Sequence, residues 1–122
     1  MVAQPVPQIS AEDVDRVIRR DFPLEQFADV KAVLTEYQSG PWKVSADRVR
    51  MAVLKLSDGD LTRLRTHIEM AKRDFRDVLA YAEYPAYMRT GFGVGNLPKT
   101  EQSRIIDRDW QQYEEWLRKS ER

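Results

Sequence analysis

His67, Asp74 and Tyr81 are the residues whose types and spacing come nearest to a chemical set. They recur every seven positions, so on a continuous helix they fall in one row, with Arg63 one turn before His67 on the same edge. A histidine there would titrate near neutral pH, an aspartate could orient it, a phenol could donate, and an arginine could anchor an anion. The geometry is poor for direct cooperation, because residues seven apart lie about 10 Å apart along the axis. The plainer account is that they are boundary positions, satisfied by whatever packs beside them. The opposite edge carries Arg65, Lys72, Arg76 and Glu83.

Three other groupings carry less. Asp74 and Asp77 are a carboxylate pair of the kind glycoside hydrolysis uses. Arg73 and Arg76 are interleaved with them, and Arg73–Asp77 reads as an i,i+4 surface ion pair. The run Gly93-Val94-Gly95-Asn96-Leu97-Pro98-Lys99-Thr100 approaches a phosphate-binding loop. Pro98, however, holds the position of the second required glycine and has no N–H to offer, and no strand precedes the loop. The turn at 57–60 raises a helix-turn-helix reading, with Arg63, Arg65 and Thr66 at the start of the second helix. That helix spends its register on core residues, and its exposed face mixes Glu69 and Asp77 with Arg73.

The element that must carry the His67 row is an amphipathic helix expected over 61–84. Leu61, Leu64, Ile68, Ala71, Phe75, Val78, Leu79 and Ala82 form its stripe, mostly at spacings of three and four. Asp60 is its N-cap, Gly59 supplies a left-handed turn before it, and Pro85 stops it. Ahead of it, residues 1–9 read as a flexible tail, in which Pro5 and Pro7 favour extended backbone. Ser10 followed by Asp13 fits a capping box, and a first helix carries Val14, Val17 and Ile18 to about Asp21. Pro23 is placed as the first residue of a second helix, whose face is Phe27, Val30, Leu34 and Tyr37. Ser39-Gly40-Pro41 ends that helix, and Trp42 folds back as a lid on the core. Ser45 caps a third helix with Val49, Ala52, Val53 and Leu56.

From Ala86 to Lys99 the periodicity vanishes into a glycine-rich loop. Thr100 then caps a last helix carrying Ile105, Ile106, Trp110, Tyr113, Trp116 and Leu117. Its aromatic residues must dock on this domain or on a partner, and Trp110, Tyr113 and Trp116 are the expected interaction surface. The fold class expected is all-α: one domain over 10–122, a compact bundle of about five helices around one long central amphipathic helix.

Composition narrows the function classes. The chain has 122 residues, 42% of them hydrophobic and 33% charged, with 20 basic and 20 acidic side chains and a formal net charge of zero. Zero net charge argues against nucleic acid as a partner, because phosphate binding needs a cationic footprint. With no cysteine, thiol catalysis, thiolate-bound zinc and disulfides are excluded. No metal site and no cofactor is expected. No stretch of about 18 apolar residues is present, so no membrane span is expected. Residues 1–10 lack the basic start and apolar core of a secretory signal, which makes the cytoplasm the expected location.

Two stretches carry a resemblance. Residues 48–61 follow an R-V-x-x-A-x-L-K-L-S-x-G-D-L pattern, and residues 74–85 follow D-[FY]-R-D-V-L-x-x-A-E-Y-P. Over this third of the chain it resembles a group of small bacterial all-helical proteins. The likeness implies a bacterial, cytosolic helical domain and no particular activity. The leading expectation is a non-catalytic module acting through protein–protein contact, with a protein partner or a second copy of itself. The alternatives are a small-molecule binder or enzyme using Arg63, His67, Asp74 and Tyr81, and a weak nucleic-acid binder using a local basic patch.

Overall fold

The computed structural model describes residues 5–38, 44–90 and 96–119. Among them the fold is all-helical. Helix α1 spans Ala11–Asp21, and a 3-10 turn follows at Leu24–Gln26. Then come α2 at Phe27–Thr35, α3 at Ala46–Ser57, α4 at Leu61–Arg73, α5 at Phe75–Glu83, α6 at Pro85–Thr90 and α7 at Lys99–Arg118. The start signals hold at α1 and α4. Ser10 and Asp13 form the reciprocal capping box at 3.1 and 3.0 Å, and Asp60 accepts from the Arg63 amide at 3.0 Å.

The expected long helix is two helices. At Asp74 the backbone turns to φ −155°, ψ 101°, ending α4 and capping α5 by accepting from the Arg76 amide. Aspartate competes with the helix for its own neighbouring N–H groups, which is why it favours caps over interiors. Asp74 followed three residues later by Asp77 repeats the Ser10–Asp13 pattern, so the break had a local signal. It was masked because Ala71, Phe75 and Val78 keep helical spacing across it. Tyr81 and His67 therefore sit on different helices.

The centre of the fold is α3. Val49, Met51, Ala52, Val53 and Leu54 are all fully buried, and four consecutive buried positions mean the helix is covered on more than one side. It packs against α1, α4 and α5, while α2 lies on α4, and α7 covers α5 and α6. The turn from α3 to α4 uses two left-handed residues, Asp58 at φ 50° and Gly59 at φ 76°. A side chain at Gly59 would also meet the Asp21 carbonyl oxygen at 2.9 Å, so this turn is wedged against the end of α1.

Other expectations shift by local chemistry. Pro23 caps the 3-10 turn, and α2 starts at Phe27 and stops at Thr35, before Tyr37. Neither Ser45 nor Pro98 makes a side-chain cap, and α7 begins at Lys99, so Thr100 lies inside it. Residues 85–90, expected as stop and loop, form α6. Pro85 opens it at the one position where a missing N–H costs nothing. The buried Asp109 carboxylate, reaching over from α7, takes the next amides, Ala86 at 2.8 Å and Tyr87 at 3.0 Å. The Ser39-Gly40-Pro41 stop, the Trp42 lid and the glycines at 91, 93 and 95 lie outside the described residues.

The aromatic terminal helix docks on its own domain. Tyr113 is 1% exposed within the core, and Trp116 and Leu117 pack against that core. Two arginines of α1 hold the end of α7: Arg16 donates to the Leu117 carbonyl, and Arg20 to those of Trp116, Leu117 and Lys119.

Candidate functional site

The His67 row does not assemble into one bonded set. The His67 Nδ1 lies 2.8 Å from the Arg63 carbonyl, one turn back on its own helix. Asp74 is taken by Arg76, with contacts of 2.9 and 3.0 Å, and this guanidinium holds the Asp74 carboxyl below its ordinary range. Tyr81, on α5, is 52% exposed. At the α4–α5 junction itself there is an open cleft of about 300 Å³ between Tyr37 and Arg76. Of its charged side chains, Asp74 pairs with Arg76 and Lys72 with Glu69 and Glu36, while Arg73 makes no ion pair among the described residues.

A different set does converge, at the seam where the end of α5 meets α3 and α7. Glu83 is 2% exposed, at the last turn of α5. Arg48, on the first turn of α3, grips it with both arms of its guanidinium, Nε to Oε2 at 2.9 Å and Nη2 to Oε1 at 2.7 Å. Such a fork matches carboxylate geometry and satisfies both oxygens. The same Nη2 also donates to the Tyr84 hydroxyl at 3.3 Å. Burial works against the Arg48 charge, but the Glu83 bonds and charge outweigh it and hold the guanidinium protonated above its usual range.

Beside this pair lies Tyr113, buried to the tip. Its hydroxyl has no hydrogen-bond partner among the described residues. An unmatched buried hydroxyl costs about 1–3 kcal/mol. Glu83, Tyr84, Ile106, Trp110 and Tyr113 together line a recess whose remaining wall is Pro5 and Pro7. The free space left is about 10 Å³, no more than one water molecule needs.

Part of the segment 5–9 thus lies as a strap along this recess. Pro7 is buried, whereas Pro5, Val6 (51%) and Gln8 are exposed, so the strap seats itself mainly through Pro7. A proline locks φ and pushes the residue before it toward extended backbone, which pre-sets this shape. Nothing but packing holds it: no hydrogen bond joins residues 5–9 to the rest of the described chain.

Of the three aromatic residues expected to form an interaction surface, Tyr113 is core. Trp116 is occupied by the Arg20 guanidinium, 4.8 Å above its ring, and by Tyr113, with ring centroids 5.9 Å apart. Trp110 and Trp116 are both half-buried, and of the two it is Trp110 that lines the recess. Sequence reasoning missed Arg48, Glu83 and the strap. Only the aromatic spacing of α7 and the Pro-Val-Pro run hinted at them.

The seam has a pH signature. Burial first, and then the Glu83 charge, push the Tyr84 phenol up to about 12, with Arg48 pulling the other way. The same two causes raise Tyr113. In the unfolded chain both phenols ionise near pH ~10. Their contribution to stability is therefore complete below that pH and is lost as pH rises toward about 12. In an alkaline titration followed by phenolate absorbance and circular dichroism, Tyr84 and Tyr113, together with Tyr37, whose phenol burial also raises, are expected to ionise late, with accompanying loss of helix. Full ionisation of every tyrosine in a chain still helical would contradict the burial of these phenols.

Compared with family models, curated proteins and solved structures, the chain has no match. No helix among the described residues is long and apolar enough to cross a membrane.

Proposed function

We propose that this chain is a non-catalytic helical module that works through protein–protein contact, and that its contact face is the α5–α7 seam around Tyr84, Ile106 and Trp110. One observation carries the reading: the seam presents a half-buried indole and a phenol in a recess that already holds a polypeptide segment. Aromatic rings with a polar tip are suited to faces that are buried in one state and wet in another. The Arg48–Glu83 pair below fixes the floor of the recess, so the rings are presented on a rigid base.

The test is photo-crosslinking in the native cell. Benzoylphenylalanine at position 110, an aromatic in place of an aromatic, is expected to trap a polypeptide. The same residue at position 81, exposed on α5 away from the seam, is expected to trap little. Equal yields at 110 and 81, or no adduct at 110, would set the reading aside.

A further inference from the structure

We propose that the seam is a receptor for extended proline-containing segments, and that Pro5-Val6-Pro7 is its ligand in cis, holding the place of a segment of the same chemistry from a protein partner. The inference rests on the contact-face reading above and specifies the occupant.

Three observations lead here. The occupant in place is itself a Pro-X-Pro segment, with Pro7 buried against the recess, Pro5 exposed at its edge and Val6 turned to solvent. Aromatic-lined grooves take such segments because their backbone is already extended and little freedom is lost on docking. The strap is also replaceable, since it makes no hydrogen bond to the described fold from residues 5–9. Finally, the fit in cis is incomplete. Tyr113 is 1% exposed and lines the recess, yet its hydroxyl has no hydrogen-bond partner among the described residues. A segment free of the tether to α1 could set a backbone carbonyl there and so outcompete the cis ligand. Occupancy in cis lowers the apparent affinity for any competitor by the fraction of molecules whose recess is open.

The probe is a synthetic peptide of this chain's residues 1–8, titrated into the full-length protein and followed by the Trp110 indole N–H signal. The unaltered chain is expected to bind it weakly. A full-length chain carrying Pro5→Ser and Pro7→Ser is expected to bind about tenfold tighter or more, because its own strap no longer competes. Pro5→Ser alone, the milder change, is expected to fall between the two. Val6→Ser, on the solvent side, should match the unaltered chain, and a peptide with serine at both proline positions should bind none of them. Equal affinity for the unaltered and double-serine chains, or no binding by either, overturns the inference. If that failure comes with a strong crosslink at position 110, the contact-face reading survives and only its occupant is wrong. If the crosslink is absent as well, both fall.

Discussion

Replacing Arg48 with alanine is expected to lower the unfolding free energy by about 3–5 kcal/mol, the usual cost of stranding one member of a buried ion pair. The Glu83 side chain is 2% exposed and loses both of its charged donors in this variant. Solvent reaches it only by opening the seam between α5 and α7. Removing both charges tells a different story. Arg48→Met with Glu83→Leu keeps the volume and takes away the desolvation cost, so the double variant is expected to be near neutral or more stable. Urea unfolding of the two single variants and the double variant measures this directly. A loss below about 1 kcal/mol for Arg48→Ala would place the pair in water, as for an exposed salt bridge.

The second large effect lies at the far end of α7. Arg20 is 3% exposed through its side chain. It donates to the Trp116 carbonyl at 2.7 Å, to Lys119 at 3.2 Å and to Leu117 at 3.3 Å, pairs with Asp21 at 2.7 Å, and covers the Trp116 ring. The last carbonyls of a helix have no partner within it and carry its negative end, so a guanidinium there serves as cap and counter-charge together. Arg20→Ala is expected to cost about 3 kcal/mol, since hydrogen bonds to charged groups contribute about 1.5–3 kcal/mol each without adding fully. Arg20→Lys should recover less than half, because a point charge cannot fork between carbonyls and stack on an indole at once. Amide exchange in the last turn of α7 should quicken in both variants. Unchanged exchange and stability in Arg20→Ala would mean that Arg16, 2.6 Å from the Leu117 carbonyl, holds this end alone.

Both residues show what a linear reading sees and what it misses. Local signals were legible because they act within a turn: Ser10 with Asp13, Asp60 before Leu61, Gly59 in a left-handed turn. The stripe from Leu61 to Ala82 correctly marked the buried face, but spacing does not sense a backbone dihedral, so the kink at Asp74 passed unnoticed. Interactions between distant segments leave no periodic trace. Arg48 and Glu83 are 35 residues apart and Arg20 and Trp116 are 96 apart, and nothing in either neighbourhood names its partner. The shared edge of His67, Asp74 and Tyr81 shows the converse limit. A spacing of seven made them neighbours only on a helix that does not break, and each instead answers to its own surroundings. Pro5 and Pro7 were read for what proline does to backbone, while the apolar surface of the rings, which is what the seam uses, was left out.

A receptor role for the seam requires that the strap lie in the aromatic recess. Nuclear Overhauser contacts in the full-length chain measure that most directly. Cross-peaks from the Pro7 ring protons to the indole of Trp110 and the ring of Tyr84, with Pro7 shifts displaced by ring currents, are the predicted result. Pro5 and Pro7 at random-coil shifts, with no contact to either ring, would contradict it.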